Sequence, residues 1–307
     1  MTVVLVGGTG RLGHALAETL VARGEPVRAL VRSGKRAGHL RALGIELEVG
    51  DLLDMRSLRR LLDDARVVVT AAQGDPLSRQ RAASQVDSLG NQNLINAASA
   101  AGIEQFIFIS ALHADSAPHN VVRLYQKHLA EEYLRASGLR YTILRPATFI
   151  ETFAPDAPLG RIMERFGVGL LPNGGNTLHS FCAVADVARA AAAVINRPEA
   201  YNQVLPIGGD EDLSYREAFQ RIERLLDRRM TLLPCGKLTQ GTMSLAIRAM
   251  WPNLPSMLKW AQFLERVGDT CTMPMWLAEE LGTSTRFNEG IRYLYRTPSR
   301  TVDQIVE

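Results

Sequence analysis

Apolar residues fall into short blocks separated by longer stretches of helical spacing, and the two alternate along the first half of the chain. Val3-Val4-Leu5-Val6 reads as a buried strand, and Leu12, Ala15, Leu16, Thr19 and Leu20 follow at the spacing of one helix face. Val27–Val31 predicts a second strand, followed by a basic helix over Gly38–Leu43 and a strand over Ile45–Val49 that ends at Gly50-Asp51. A helix carrying Leu58, Leu61 and Leu62 comes next, then strand Val67–Thr70 and a long helix through Val86, Leu89, Leu94, Ile95 and Ala98. Strand Gln105–Ile109 ends at Ser110, a helix runs from about Val121 to Ala136, and strand Tyr141–Leu144 stops at Arg145-Pro146. Strand, helical crossover and strand, repeated this often, predict an α/β fold with a doubly wound parallel sheet and helices on both faces.

The join between the first strand and its helix carries the chemistry. Gly7-Gly8-Thr9-Gly10-Arg11-Leu12-Gly13 satisfies G-x-G-x-x-G through Gly8, Gly10 and Gly13, and the wider G-x-x-G-x-x-G through Gly7, Gly10 and Gly13. Such a turn brings bare backbone N–H groups and a helix N-terminus to one point, where a pyrophosphate meets no Cβ. Flanked by a strand and a helix on schedule, it makes the sheet Rossmann-type and predicts a dinucleotide site. In these sheets ligands bind outside the carboxyl ends of the strands. Gly7–Gly13, Arg32, Asp51, Ala71–Gln73, Ser110 and Pro146 therefore converge on one crevice. An NAD site usually has an acid at the end of the second strand, but this chain has Arg32-Ser33-Gly34-Lys35-Arg36 and no acid until Glu46. A fork of guanidinium donors suits a 2′-phosphate, so NADP(H) is the expected cofactor; the alternative is a basic stretch merely flanking a surface helix.

With 307 residues, 46% of them hydrophobic, the chain can bury a full α/β core plus an annex. We expect a nucleotide-binding domain over 1–152 and a smaller, mostly helical substrate-binding region over 153–307, with 184–209 returning to the sheet. A net charge of +3, with both signs interspersed, gives no basic face for nucleic acid. Cys182, Cys235 and Cys271 are odd in number and widely spaced, which suggests reduced thiols and a cytoplasmic protein. No apolar stretch has the length of a membrane span, and the chain enters its first strand at once, leaving no room for a signal peptide. The six histidines show no metal-ligand spacing, so no metal is expected.

Three segments resemble the NmrA-like branch of the atypical short-chain dehydrogenases. They are Gly7-Gly8-Thr9-Gly10-x-x-Gly13, Phe106-Ile107-Phe108-Ile109-Ser110-Ala111-Leu112-His113-Ala114-Asp115, and Ser137-Gly138-Leu139-Arg140-Tyr141-Thr142-Ile143-Leu144-Arg145-Pro146. The Ser-x-x-His-Ala-Asp stretch is most similar to that branch's NADPH:quinone oxidoreductases. Val184-Ala185-Asp186-Val187-Ala188 and Val204-Leu205-Pro206-Ile207-Gly208-Gly209 match later landmarks, so the resemblance covers roughly residues 2–235. It implies an NADPH-dependent reductase that passes hydride to a quinone or conjugated carbonyl. It also leaves open a non-catalytic redox sensor or assembly protein, with a protein partner. The cofactor residues it implies are Gly7, Thr9, Gly10, Arg11, Leu12, Gly13, Arg32, Lys35, Asp51, Leu52, Ala71, Gln73, Lys127 and Pro146. Asp51 would accept from the adenine amino group, although a turn aspartate after a strand would look the same.

The wider family carries Tyr-x-x-x-Lys on its catalytic helix. Lys127 aligns with that lysine, but Arg123 stands where the tyrosine would be. Tyr125 is no substitute, because residues two apart on a helix do not face each other. It falls instead on the stripe Val122, Tyr125, Leu129, Tyr133, read as the packed side of the helix. Arg123 and Lys127 share a face, and the neighbouring cation would lower the lysine's pKa. The expected catalytic set is Lys127, Ser110 and His113, with His119 flanking the same crevice. Asp186 reads as the cap of a helix over Val187–Ile195. All three tryptophans (Trp251, Trp260, Trp276) and six of the nine methionines (Met230, Met243, Met250, Met257, Met273, Met275) lie after residue 229, in a segment broken by Pro252, Pro255 and Pro274. Met257, Trp260 and Leu264 share a helix face. We expect this segment to supply a pocket for a small apolar or aromatic substrate, the alternative being ordinary core or a subunit contact.

Overall fold

Seven parallel strands form the central sheet, in the order β3-β2-β1-β4-β5-β6-β9. They are β1 (Thr2–Val6), β2 (Val27–Val31), β3 (Glu46–Val49), β4 (Ala65–Thr70), β5 (Gln105–Ile109), β6 (Tyr141–Pro146) and β9 (Gln203–Ile207). The computed structural model describes residues 2–74, 86–235 and 254–296. Met243, Met250, Trp251 and the Pro252 break lie outside them. The strand order reverses between β1 and β4, which opens a crevice at their carboxyl ends.

Each face of the sheet is buried under its own helices, because strands this apolar must be covered on both sides. One face packs under α1 (Arg11–Ala22), α2 (Gly38–Ala42), α7 (Val184–Ala193) and α10 (Met275–Leu281), through Leu16, Leu20, Leu40, Val187, Ala191 and Leu277. The other packs under α3 (Met55–Leu61), α4 (Asn91–Ala100) and α5 (Val122–Ala136), through Leu58, Leu94, Ile95, Ala130 and Leu134. The long helix expected through Val86 and Leu89 begins as a π-helical turn, Val86–Gly90, before α4, and Leu89 stays exposed.

The remaining elements are α6 (Pro158–Phe166), α8 (Tyr215–Leu226), α9 (Leu254–Val267) and α11 (Phe287–Arg296), with two small sheets. In these sheets β7 (Val168–Pro172) runs parallel to β11 (Thr231–Cys235), and β8 (Leu178–His179) antiparallel to β10 (Leu213–Ser214). This part has its own aromatic core, in which Phe153 meets Phe181, Tyr215, Phe219 and Phe287 at ring-centroid distances of 5.5–5.8 Å. Met230 packs against that core, whereas Met273 and Trp276 pack against the sheet side beside α7 and α10. Among the described residues, Met230, Met273 and Trp276 are therefore divided between separate cores, and Met275 is exposed. Asp186 is not the cap expected of it: α7 starts at Val184, and the buried Asp186 carboxylate accepts from the Thr285 N–H and hydroxyl and from Arg189. Among the described residues no helix is long and apolar enough to cross a membrane.

Candidate active site

At the end of β1 the backbone itself makes the cradle. A Cβ on Gly13 would lie 2.0 Å from the Gly7 carbonyl oxygen, and one on Gly7, at φ +88°, 2.8 Å from the Ala71 carbonyl carbon. Both positions need glycine, and this close packing of α1 on the turn is what aims the helix N-terminus at the crevice. Gly10 caps α1 with extended backbone and no side-chain hydrogen bond, so no side chain competes for the first-turn N–H groups. An empty-handed helix start above a turn that leaves no room for a Cβ at Gly7 and Gly13 fits a pyrophosphate.

The side chains around this turn are arranged in different ways. Arg32 is exposed at the end of β2, and Lys35, also exposed, follows Ser33, whose hydroxyl accepts from the Lys35 N–H at 3.3 Å. The Arg11 side chain turns away to the Glu151 carbonyl at 3.1 Å and to the Asp156 carboxylate, leaving only its backbone at the turn. Asp51 Oδ1 accepts from the Leu53 N–H at 2.8 Å, the ordinary turn aspartate, and Leu52 is buried in the core. The Ala71 N–H donates to the Val6 carbonyl, Gln73 is exposed just beyond it, and the Pro146 carbonyl accepts from the Leu112 N–H at 2.9 Å.

That last bond ties the end of β6 to the turn after β5, where the charged part of the site begins. Ser110 Oγ and His113 Nε2 are both buried, and neither has a hydrogen-bond partner among the described residues. His113 sits in the left-handed region at φ 60°, a conformation that costs a non-glycine residue of order 1–3 kcal/mol and often marks a functional turn. Lys127 lies beneath, its Nζ donating to the Ile109 carbonyl at 2.9 Å and standing 5.6 Å from the Phe108 ring centre. Burial lowers its pKa to about 8; Asp87 and Glu131 oppose the shift, and Arg123 adds only a small push in the same direction. His119 is exposed and its ring lies tilted against Tyr125, with centroids 4.2 Å apart, instead of joining this group.

The packed side of α5 is not the stripe Val122, Tyr125, Leu129, Tyr133. The helix buries Leu124, Lys127, Ala130, Glu131 and Leu134, and Tyr133 is exposed. A lysine and a glutamate on the inner face hide the true period from a hydrophobicity reading. Glu131 is the centre of a network that spacing alone did not reveal. Arg145 grips it through Nε at 3.0 Å and Nη2 at 2.5 Å, and reaches Asp115 through Nη1 at 2.7 Å. The Asp115 end of the Ser-x-x-His-Ala-Asp stretch is thus a structural anchor for its turn. Arg123 donates to the Gly74 carbonyl at 2.7 Å, while the Gly74 N–H donates to Asp87 Oδ1 at 2.6 Å. The buried Asp87 Oδ2 and Asn91 Oδ1 have no partner among the described residues. The sequence signal for this pair was available, since Asp87 and Asn91 stand one helical turn apart.

The NAD(P)H-binding family profile matches residues 7–198. The chain belongs to this NAD(P)H-binding family. Photosystem II assembly factor Ycf39 of Cyanophora paradoxa is 30% identical over 226 residues, covering 73% of this chain and 68% of that protein. Quinone oxidoreductase 2 of Escherichia coli strain K12 is 31% identical over 211 residues, covering 68% of each. The crystal structure of Escherichia coli NADPH-dependent quinone oxidoreductase QOR2 complexed with NADPH superposes with a TM-score of 0.78 at 23% identity, over 95% of this chain and 99% of that one. That likeness establishes the shared fold. In this NAD(P)H-binding chain the glycine turn and the Ser110–Asp115 turn face the same edge of the sheet, one made of backbone and the other presenting the buried Ser110 Oγ and His113 Nε2.

Proposed function

We propose that the protein is an NADPH-dependent reductase that transfers hydride to a quinone or conjugated carbonyl. The observation that carries this reading is the pair of buried, unpartnered polar atoms, Ser110 Oγ and His113 Nε2, beside a lysine with a lowered pKa at the end of a central strand. A buried hydroxyl and ring nitrogen without partners are costly unless a ligand supplies the partner, and an acceptor oxygen would do so. NADPH, when bound, supplies the hydride. Gly7, Thr9, Gly10, Leu12, Gly13 and the Arg11 backbone would hold its pyrophosphate. Arg32 and Lys35 would take the 2′-phosphate, and Asp51, Ala71, Gln73 and Pro146 would line the rest of its length. Lys127 would hold the nicotinamide ribose and set the charge beneath the acceptor. Ser110 and His113 would donate to the acceptor oxygen. With Arg123 in place of tyrosine no phenol supplies a proton, which favours acceptors such as quinones that need little acid assistance.

A second reading, a non-catalytic NADP(H)-binding sensor or assembly protein, is favoured by that same replacement, since Arg123 is committed to the Gly74 carbonyl, and by the Ycf39 relatives. Steady-state NADPH oxidation over a panel of quinones and enones decides between them. The reductase reading expects acceleration by at least one apolar acceptor. NADPH binding with no acceleration by any acceptor would establish the sensor or assembly reading instead.

A further inference from the structure

His179, Glu265 and Asp269 form a buried cluster that the chemistry above does not use. The His179 side chain, on β8, is fully buried, with Nδ1 3.2 Å from Asp269 Oδ2 and Nε2 3.3 Å from Glu265 Oε1. A neutral imidazole has one N–H and can satisfy one of these carboxylates; only the doubly protonated ring can donate to both. Glu265 faces it from α9 and Asp269 from the segment that follows. The Tyr215 ring from α8 stands edge-on with its centroid 4.8 Å away, and Phe181 stacks on the ring at 5.4 Å. Burial opposes a charge on the ring, but the two carboxylates outweigh it and raise the pKa above the ordinary histidine value.

The two acids connect to the two adjoining strand ends of the candidate site, after β6 and after β5. Asp269 Oδ2 accepts from the Thr148 N–H at 2.8 Å and the Thr148 hydroxyl at 2.6 Å, two residues past Pro146. Glu265 belongs to α9, which packs Phe263, Leu264 and Trp260 against Ala111, Ala114, Val121 and Leu124, the wall that carries Ser110 and His113. The Asp269 backbone bridges β8 on both sides, donating to the Leu178 carbonyl at 3.2 Å and accepting from the Ser180 N–H at 3.0 Å. Asp269 therefore stays in place whatever the ring's charge. Glu265 is also held beside β8, its Oε2 accepting from the Thr177 N–H at 3.2 Å and its carbonyl from the Thr177 hydroxyl at 2.6 Å. A neutral ring that keeps its proton on Nδ1 gives up the Nε2 bond to Oε1, one of three bonds between the end of α9 and this strand.

We infer that His179 is a positioning residue: as an imidazolium it adds a proton-dependent bond to the two that Thr177 makes between β8 and the end of α9, and tightens that helix against the Ser110–Asp115 wall, so acceptor affinity depends on its proton. A group whose folded pKa is raised gives its full stabilisation below the unfolded value and loses it as pH rises through the folded pKa. The α9 contact is therefore tight at low pH and loosens on the alkaline side. The acceptor part rests on the reductase reading; the α9 part does not.

The test uses the full chain saturated with NADPH, with 1,4-naphthoquinone as acceptor, from pH 6 to 9. In the unmodified protein KM for the quinone should rise about tenfold across the alkaline step, the loss of one charge-assisted hydrogen bond, while NADPH affinity stays flat. Glu265→Gln is the informative variant, because the glutamine amide donates to the Nε2 that a neutral ring leaves bare. It should keep the low KM and lose the pH step, whereas His179→Gln should show the high KM throughout. Variation of kcat with pH belongs to Lys127 and should survive both changes. Hydrogen exchange across residues 258–266 reads the same clamp without turnover: protection should fall with pH in the unmodified protein and hold in Glu265→Gln. A pH-independent exchange pattern, or an alkaline KM step that Glu265→Gln retains, overturns the inference. Should exchange respond to pH in a protein that turns over no acceptor, the clamp stands and the reductase reading fails.

Discussion

The turn after β1 and the turn after β5 lie at the same edge of the sheet, yet they solve the problem of holding a ligand in different ways. The first excludes side chains. Gly7 and Gly13 leave no room for a Cβ, and Gly10 starts α1 with no side-chain bond. Its binding capacity is preformed in the backbone, and no titration within the turn changes it. The second is made of side chains whose polar atoms are largely covered before any ligand arrives: buried Ser110 and Lys127 and the buried Nε2 of half-buried His113, with exposed Asp115 held by Arg145 and Arg145 held by Glu131. Here charge must be balanced across three elements, α5, β6 and the turn after β5, and the Glu131 side chain is 0% exposed, so the balance is costly to disturb. The difference teaches where each kind of change will be felt. Alterations that remove phosphate contacts around the first turn and leave Gly7 and Gly13 in place should act on cofactor binding, and alterations at the second turn on folding, pH response and turnover together.

The largest effect should come from breaking the charge balance of the second turn. Glu131→Ala leaves the Arg145 guanidinium buried with only the outer Asp115 as partner. Removing one member of a buried pair costs about 3–5 kcal/mol, so the variant should unfold at markedly lower denaturant while the slope of the transition stays the same. A loss below about 1 kcal/mol, the range of exposed pairs, would mean that the network is solvated and the contrast between the turns is wrong.

Next in size is Lys127→Met, which keeps the side chain's length and removes its charge. Turnover should fall roughly 100-fold, the scale of a lost acid–base or positioning group, while NADPH affinity changes much less. The same variant carries a stability signature with a definite sign. Burial lowers the folded-state pKa of Lys127 to about 8, below the unfolded lysine value of roughly 10.4. Between those values the unfolded chain binds the extra proton, so the folded protein gains stability as pH rises through that window. Lys127→Met should remove that gain, and chemical denaturation at pH 7, 8.5 and 10 measures it. Equal pH dependence in both proteins would show that Lys127 keeps an ordinary pKa.

What the sequence reveals follows the same division. The glycine turn is local, seven consecutive residues whose types are dictated by backbone geometry, and the strands before and after it announce themselves as apolar blocks. The Glu131–Arg145–Asp115 network joins residues 14 and 30 positions apart, and nothing in the spacing of Glu131 distinguishes it from an exposed helix glutamate such as Glu132. The stripe through Tyr125 misleads for a related reason: a helix that buries a lysine and a glutamate presents its apolar residues out of phase with its true inner face. Asp186 looks like a cap because it opens an apolar helix, but its acceptors go to Thr285, a residue 99 positions away. The clustering of tryptophan and methionine in the sequence carries no information about which core each side chain enters.

Cofactor choice gives an effect of intermediate size, confined to the end of β2 beside the first turn. Arg32→Glu should weaken NADPH by roughly 10- to 150-fold, the worth of a charge-assisted hydrogen bond of about 1.5–3 kcal/mol, and leave NADH nearly unchanged. Thermal stability should not move, since Arg32 is exposed and has no ion pair among the described residues. Calorimetric titration with both cofactors measures it. If the unmodified protein binds NADH and NADPH equally well, the basic end of β2 is a solvated surface and not a phosphate site.

The smallest effect separates two tryptophans that composition alone would group together. Trp260 packs with Phe263 and Leu264 on the wall that carries Ser110 and His113. Trp276 packs on the far side, against the sheet, with the Arg197 guanidinium 5.3 Å from its ring centre. If the α9 wall meets the acceptor, Trp260→Ala should raise KM for an aromatic quinone by the ~0.5–1.5 kcal/mol of a ring contact, roughly two- to twelvefold, with NADPH affinity unchanged. A flat apolar ligand should also quench tryptophan emission more strongly once NADPH is bound, because the cofactor would form the floor of that pocket. Trp276→Ala should do the opposite, lowering the melting temperature while leaving KM alone, because it removes core contacts away from the crevice. Both variants must be compared in one assay, since each loses a large side chain and each will lose some stability. Should Trp260→Ala melt early and bind acceptor normally, Trp260 is core as well, and the acceptor meets the Ser110–Asp115 turn without help from α9.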